Sequence, residues 1–260
     1  MSVHVRSMWP RHSDRVPRTP VKAQPGGSLS SAGQMEYCSS WLTTTMYTVS
    51  TSSTPIASLF PSDAIGVLAR IGDAAPLHAQ ERRAVVGAGE RRRREFLTGR
   101  ACAHAALAAL GRDEGPVPVG PRREPVWPPG VVGSIAHAGD WAGAVVAPAD
   151  ALWALGFDLE ALDPPLTPDV ERLVAVARDP NDPYRSKVAF SAKECVYKCL
   201  FPATGWPLAF ADVAVDLDLA GGWFQARLAE PYRHPPLDGR LVVEHGYVFT
   251  GLALRTALTG

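Results

Sequence analysis

Residues 155–160 read Leu155-Gly156-Phe157-Asp158-Leu159-Glu160, and this stretch predicts a β-strand that carries two carboxylates on one side. In a strand, residues two apart face the same side, so Asp158 and Glu160 project together while Phe157 and Leu159 pack behind them. Their oxygens suit Mg²⁺, which takes one or two protein carboxylates and leaves its other positions to water and phosphate oxygens. The strand therefore predicts a place where a divalent cation meets a phosphate.

A second group of charges follows in a segment that predicts a helix. The Asp-Pro pair at 182–183 is a typical helix start, and we expect the helix to run to Leu200. Glu194 and Lys198 are four residues apart, so they stand one above the other on it. On a solvated helix such a pair contributes only about 0.3 kcal/mol. The apolar residues around the pair instead predict a buried helix, where a carboxylate needs a partner or a metal.

Composition narrows the class of protein before any mechanism is considered. The 260 residues are 46% hydrophobic, which is enough for one large domain or two small ones. Lys plus Arg equals Asp plus Glu at 26 each, so the net charge indicates neither nucleic acid nor membrane as a partner. The four cysteines form no CxxC pair and predict reduced thiols. Since there is also no long apolar run and no signal-peptide core, we expect a cytoplasmic protein.

The first 45 residues differ from the rest of the chain. They are rich in Ser, Pro, Gly and Arg and show no hydrophobic period. Such a composition cannot bury enough apolar surface to fold. Two interpretations stay open, a disordered tail over residues 1–45 or an extension upstream of a true start at Met46.

The densest basic cluster lies in a helical pattern that covers residues 78–110. Arginines fill positions 91–94, and helical geometry places Arg93 on the same face as Arg100. An arginine run is usually a solvated surface. The pair Arg122–Arg123 follows in a proline-bounded loop, and two basic clusters near one predicted strand indicate a polyanionic ligand.

Further strands are predicted on both sides of the acidic one. A strand at 131–137 ends at His137, with a hairpin partner at 141–146. A histidine at a strand end is more often structural. Here the strand that carries Asp158 and Glu160 comes next, which favours a position of His137 near the two carboxylates. The C-terminal region predicts four strands and a hairpin turn at His245–Gly246, the strands covering residues 213–219, 223–228, 241–244 and 247–254.

Four ordered blocks together resemble a known family, the 4'-phosphopantetheinyl transferases of the surfactin-synthetase type, nearest the branch of enterobactin-synthetase component D. The blocks are Arg92–Arg100, then Arg123–Pro128 leading to Gly133–His137, then Gly156–Glu160, and Phe190–Glu194 with Tyr197–Lys198. The chain departs from the family pattern at Phe157, where Ile is usual, at Ala136, where Ser or Thr is common, and at Cys195 and Cys199, where small residues are usual. None of these changes removes a charged residue of the blocks.

The resemblance implies a pseudo-dimeric α+β fold with two similar halves in one chain and coenzyme A in the cleft between them. We expect the halves to divide near residue 150, with residues 46–150 supplying basic residues and residues 151–260 supplying the metal site. The resemblance also implies a monomer.

Residue roles follow from the resemblance, position by position. Arg92 and Arg100 would meet the 3'-phosphate of coenzyme A, although helical geometry alone would pair Arg93 with Arg100. The other residues expected to bind coenzyme A are Arg122, Ser134 and His137, with Lys193 and Lys198 at the pyrophosphate. The expected metal ligands are Asp158, Glu160 and Glu194, holding Mg²⁺ or Mn²⁺.

The implied reaction moves phosphopantetheine from coenzyme A to a serine of an acyl or peptidyl carrier protein. The expected catalytic residues are Lys198 and a base, with Glu194 as first choice and Glu160 as second. Two other interpretations stay open. One is a coenzyme A or nucleotide-binding regulator without transferase activity, and the other is a Mg²⁺-dependent nuclease, which the zero net charge disfavours.

Overall fold

The computed structural model describes residues 48–49, 55–72, 78–112, 115–174 and 182–255. The predicted tail at residues 1–45 and the alternative start at Met46 lie outside these ranges.

The first half of the fold is a four-stranded antiparallel sheet with a long helix packed on it. The strand order is β1-β2-β4-β3. Apolar residues of the helix and of the two middle strands share one core, including Val67, Leu107 and Val146. The element bounds are β1 Thr48–Val49, β2 Ile65–Arg70, α1 Ala79–Arg83, α2 Glu90–Ala109, β3 Val131–Ala138 and β4 Trp141–Pro148, with a 3-10 turn at Pro55–Ser58.

The single helical pattern expected for residues 78–110 is divided into two helices. Helix α1 ends at Arg83, and α2 begins only at Glu90. Gly87 between them has a φ of 76°, a left-handed conformation that glycine adopts at no steric cost. The Ala-rich pattern did not reveal this break, because a glycine within a helical period is compatible with either outcome.

The second half repeats the arrangement with a five-stranded antiparallel sheet of order β5-β9-β8-β7-β6 and another long helix. Its bounds are β5 Leu152–Ala161, α3 Pro168–Val174, α4 Arg185–Thr204, β6 Val213–Asp218, β7 Trp223–Leu228, β8 Leu237–Glu244 and β9 Tyr247–Arg255, with a 3-10 turn at Phe210–Asp212. The chain crosses from one sheet to the other between Pro148 and Leu152. The mixed helices and antiparallel sheets confirm the α+β class.

The predicted strands all occur, and the hairpin turn lies at the predicted residues. β8 begins four residues earlier than expected, because Leu237 and Gly239 pair with β7. His245 and Gly246 form the predicted turn, with φ values of 50° and 79° that place both in the left-handed region typical of tight hairpins. Helix α4 runs past the expected end and includes Pro202.

Helix α4 lies directly against β5. A Cβ added at Gly156 would sit 2.2 Å from the Cys195 carbonyl oxygen and 2.7 Å from the Cys199 Cβ. Both cysteines are fully buried at this contact and carry free thiols. Glycine is therefore required here because the helix backbone touches the strand, and this close approach places the side chains of α4 within reach of those of β5.

The two halves meet where β3 lies beside β5. The Ser134 hydroxyl donates a 3.2 Å hydrogen bond to the Phe157 carbonyl. A shared core contains residues of both halves, among them Val145, Phe157 and Phe249. Among the described residues, none of the helices has the length and hydropathy that a membrane crossing requires.

The contact at Gly156 gives a direct test of this packing. We expect Gly156→Ala to destabilise the protein by about 3 kcal/mol, because overpacking forces the helix and strand apart. The melting temperature should fall by roughly 5–10 °C in a thermal scan. Gly115→Ala is the matched control, since its added Cβ meets no atom within 4 Å. An unchanged melting temperature in Gly156→Ala would show that α4 does not touch β5.

Candidate active site

An acidic centre lies between β5 and α4, built around Asp158. The Asp158 residue as a whole is only 3% exposed. Its Oδ1 accepts a 2.5 Å hydrogen bond from the Lys198 ammonium, and its Oδ2 accepts a 2.8 Å bond from the Ser191 hydroxyl. Behind Ser191, the Thr250 hydroxyl lies 2.9 Å from the serine oxygen. Both Asp158 oxygens are thus held by buried donors.

The periodicities of the two elements explain why these residues meet. Ser191, Glu194 and Lys198 follow one another at three and four residues, so they lie on one face of α4. Thr250 is the register partner of Asp158 on β9 and reaches Ser191 from the sheet. The helix face and the strand face are therefore fitted to each other around one carboxylate.

Lys198 is strongly favoured in its charged form. Burial alone would lower its pKa, but the carboxylates of Asp158, Glu194 and Glu160 together raise the pKa of Lys198 above its ordinary value. The ammonium is therefore a fixed positive charge in a buried site.

Glu160 and Glu194 complete the acidic centre. Burial and the negative charges of Asp158 and Glu194 raise the pKa of Glu160 to about 8, although Lys187 and Lys198 act in the opposite direction. Such an effect requires the three carboxylates to lie within electrostatic reach of one another. Glu160 therefore keeps its proton near neutral pH unless a cation or another positive charge is bound beside it.

The carboxylates of Asp158, Glu160 and Glu194 are of the kind that binds a hard divalent cation. In the described residues they are not arranged as a ready-made ligand cluster. The Asp158 oxygens are occupied by Lys198 and Ser191 instead. Carboxylate oxygens are nevertheless the ligands that Mg²⁺ prefers in proteins. A cation at this centre would share Asp158 with Lys198.

A basic group lies beside the acidic centre and comes from α2 and β3. The Arg92 guanidinium is 2.7 Å from His137 Nε2, which must accept because a guanidinium only donates. The His137 proton is then on Nδ1, which lies 3.7 Å from a Glu95 carboxylate oxygen. These contacts connect the end of β3 to the first turns of α2.

His137 is neutral in this arrangement. Burial lowers its pKa to about 4, and the positive charges of Arg92 and Lys198 act in the same direction while Glu95 opposes them. The influence of Lys198 on this pKa means that His137 and the acidic centre lie within electrostatic reach of each other. An anion placed between them would favour the protonated imidazole.

Arg100 is buried on α2, about two turns after Arg92. Its guanidinium lies 4.7 Å from the centre of the Phe96 ring, and Nη2 is 3.5 Å from the Pro118 carbonyl oxygen. Its Nε has no hydrogen-bond partner among the residues that the structure describes. Burial lowers the Arg100 pKa to about 10, and Arg92 contributes to this shift. Arg92 and Arg93 are both exposed, and Arg92 is the one that contacts His137 and whose charge acts on Arg100.

Lys193 has different surroundings from those expected. Its ammonium donates to the Val174 carbonyl at 2.7 Å and to the Phe210 carbonyl at 3.0 Å. Burial lowers its pKa to about 8. Adjacent helix residues differ by about 100° in direction, so Lys193 and Glu194 face different neighbours. The structure does not bring Lys193 to Lys198.

Two other expected coenzyme A contacts also lie apart from His137. Ser134 is buried and uses its hydroxyl at the contact between the two sheets. Strand alternation turns its side chain away from that of His137, three positions along. The Arg122 guanidinium lies over the Phe201 ring, 5.7 Å from its centre, towards the end of α4.

Sequence reasoning missed Thr250 and Glu95. Thr250 is nearly sixty residues from Ser191, and only the β5–β9 register brings the two together. Glu95 was part of the arginine block, but its pairing with His137 depends on how α2 crosses β3. No local sequence pattern predicts the Thr250–Ser191 contact or the Glu95–His137 contact.

Comparisons with known proteins identify similar sequences. The family sequence model of the 4'-phosphopantetheinyl transferase N-terminal domain matches residues 80–147 of this chain. The chain is 34% identical to the 4'-phosphopantetheinyl transferase Svp of Streptomyces mobaraensis over 83% of this chain and 86% of that protein. It is 36% identical to the 4'-phosphopantetheinyl transferase PptT of Mycobacterium tuberculosis over 63% and 80% respectively. Enterobactin synthase component D of Salmonella typhi is 36% identical over 43% and 49%.

The neutral His137 gives a testable pH dependence. In the free protein we expect the His137 ring to titrate near pH 4. Inorganic pyrophosphate should raise this pKa, because a bound anion stabilises the imidazolium. Histidine proton shifts followed by NMR across pH 3.5–8 would measure both values, with His137→Gln identifying the signal. Titration of the free protein near pH 6.5 would contradict this account of the site.

Proposed function

The chain belongs to the 4'-phosphopantetheinyl transferase family, and from this premise we propose how its own residues perform the transfer. The reaction moves 4'-phosphopantetheine from coenzyme A to a serine of a carrier protein. A bond forms between the serine oxygen and the phosphorus next to the pantetheine group, and the bond from that phosphorus to the bridging oxygen breaks. The serine proton passes to a base, and 3',5'-ADP leaves.

One observation carries the assignment of residues. The Lys198–Asp158 pair lies within electrostatic reach of Glu194 and Glu160, and Lys198 is also within reach of His137, which contacts Arg92. A pyrophosphate needs positive charge, and its transfer needs a base and a place for a cation. In this proposal Lys198 and the arginines would supply the positive charge, and the carboxylates would supply the base and the cation ligands.

The basic group would hold the nucleotide end of coenzyme A. The Nε of Arg100 has no hydrogen-bond partner among the residues that the structure describes. Arg92 adds a second guanidinium within electrostatic reach of it. A planar guanidinium binds phosphate oxygens in two places, which suits a terminal 3'-phosphate. His137 would become protonated as it contacts a phosphate.

Lys198 would stabilise the pyrophosphate as negative charge develops on the leaving group. Its raised pKa keeps it charged, and its place beside Asp158 fixes its direction. A preorganised charge of this kind costs no rearrangement during the reaction. Lys198 is therefore the proposed electrostatic catalyst.

The three carboxylates would hold Mg²⁺, with Mn²⁺ as an alternative, and when bound the cation supplies charge that offsets the pyrophosphate. An unassisted serine hydroxyl is a poor nucleophile, so a carboxylate must take its proton. We assign this to Glu194, which shares a helix face with Lys198, and make Glu160 the second candidate.

The proposed division of the chain follows the two sheets. Residues 46–150 would contribute the nucleotide-binding arginines and residues 151–260 the acidic centre, within a monomer. The similarity to enterobactin synthase component D favours carrier proteins of siderophore synthesis, with polyketide and nonribosomal-peptide carriers as the wider class.

Mass spectrometry of an apo carrier protein incubated with the enzyme, coenzyme A and Mg²⁺ tests the function. We expect a gain of one phosphopantetheine, and none after exhaustive chelation. Tight coenzyme A binding without any mass gain, across a panel of carriers, would favour a regulator that lacks transferase activity.

Arg100→Ala separates nucleotide binding from catalysis. We expect the KM for coenzyme A to rise by at least roughly 10-fold, while the KM for 3'-dephospho-coenzyme A changes little, because that substrate lacks the lost contact. The exposed Arg93→Ala is the matched control and should change neither constant. Equal penalties for the two substrates would remove Arg100 from the phosphate site.

Glu194→Gln tests the base while keeping the size of the side chain. We expect kcat to fall by at least about 100-fold with a much smaller loss of coenzyme A affinity, because the arginines and His137 remain. Single-turnover kinetics and calorimetric titration measure the two effects. Glu230→Gln, in an exposed ion pair, is the control. Near-normal turnover in Glu194→Gln would leave that residue a structural partner of Lys198.

A further inference from the structure

Glu81 on α1 is a second buried carboxylate that takes no part in the proposed transfer. Its side chain is completely buried in the first half of the fold. One oxygen accepts hydrogen bonds from the Val117 amide and from His104 Nε2, each at 2.8 Å. The other accepts a 3.1 Å bond from the His78 amide. Three donors from three separate segments thus converge on one carboxylate.

These donors keep Glu81 ionised despite its burial. Burial alone would raise the pKa of Glu81, but the bonds from His104, Val117 and His78 together lower it below the ordinary value. An ionised carboxylate only accepts hydrogen bonds, so the His104 proton is on Nε2. Helix α1, the middle of α2 and the segment at Val117 are therefore tied to one fixed negative charge.

This charge acts on Arg100 in two ways. Val117 precedes Pro118, whose carbonyl oxygen faces Arg100 Nη2 at 3.5 Å. The hydrogen bond that the Val117 amide donates to Glu81 therefore fixes the backbone that Arg100 contacts. The Glu81 carboxylate also attracts the guanidinium directly, and this raises the pKa of Arg100 against the effect of burial. An arginine is flexible, so a site that binds phosphate through it needs such a support.

We propose that Glu81 is a positioning residue that fixes Arg100 for the 3'-phosphate of coenzyme A, and thereby sets the preference for coenzyme A over its 3'-dephospho form. The inference rests on the proposed function, in which Arg100 meets that phosphate. Glu81 itself touches no substrate.

Glu81→Gln tests the proposal by removing the charge while keeping the shape. The amide NH₂ would face the His78 or Val117 amide, so one of the three bonds is lost. We expect the KM for coenzyme A to rise about 5-fold, the KM for 3'-dephospho-coenzyme A to stay within about 2-fold, and kcat at saturation to be unchanged. Equal changes for the two substrates, or a lower KM for coenzyme A, would overturn the proposal.

Two further variants distinguish positioning from general support of the fold. His104→Leu removes one bond and leaves the carboxylate, and it should shift the ratio of the two KM values in the same direction by a smaller factor. It also keeps the test available if Glu81→Gln fails to fold. Val67 belongs to the apolar core of the first half and is not one of the three hydrogen-bond donors to Glu81, so Val67→Ala should lower stability and leave the ratio unchanged.

The Arg100→Ala result separates failure of this inference from failure of the proposed function. If Arg100→Ala penalises both substrates equally, the phosphate assignment fails and the role of Glu81 fails with it. If Arg100→Ala discriminates between them and Glu81→Gln does not, only the role of Glu81 is wrong.

Discussion

The buried ion pair between Asp158 and Lys198 determines how the second half of the molecule is arranged. Its partners lie 2.5 Å apart, with 4% of the aspartate and 11% of the lysine side chain exposed. Removing one member of a buried pair typically costs about 3–5 kcal/mol, because the other charge is left without a partner. Since Asp158 is on β5 and Lys198 is on α4, the pair fixes the rotation of the helix. Glu194, one turn earlier, is aimed into the same site as a consequence.

Close packing of α4 on β5 and the contact between the halves bring this ion pair near residues of the first half. Gly156 lets α4 approach β5, and Ser134 bonds β3 to β5 at Phe157. The end of β3 then carries His137 to the edge of the acidic centre, together with the arginine that it contacts. In the proposed function neither half would hold a complete site, because the first would supply Arg92, Arg100 and His137 and the second the carboxylates and Lys198. Phosphate and cation would then bind where the halves join.

Periodic patterns in the sequence predicted the parts of the site that depend on one element at a time. The alternation around Asp158 predicted its strand, and the spacing of Glu194 and Lys198 predicted a shared helix face. The same reasoning could not place Lys193, because a residue adjacent to Glu194 is turned by about 100° and its partners lie on α3 and near Phe210. A motif names the residue types in a block but not the direction in which each side chain points.

Contacts between distant segments were beyond any local pattern. Thr250 meets Ser191 because β9 pairs with β5 in one register, and Glu81 meets Val117 because α1 packs beside a loop more than thirty residues away. The break between α1 and α2 was missed for a related reason, since a glycine in an Ala-rich segment permits both a continuous and a divided helix. Contacts between segments distant in sequence therefore determine which of the predicted residues meet, and which other residues hold them in place through hydrogen bonds.

The central claim is that the centre around Asp158 transfers phosphopantetheine with the help of a divalent cation. Asp158→Asn tests it most directly, because the amide keeps the size of the side chain and removes its charge. Calorimetric titration with Mg²⁺ and the mass of a carrier protein after a single turnover would be measured on both proteins, with circular dichroism to verify folding. The account predicts that the variant loses Mg²⁺ affinity and slows transfer by at least about 100-fold. A folded Asp158→Asn protein that binds Mg²⁺ and modifies the carrier at the normal rate would contradict it.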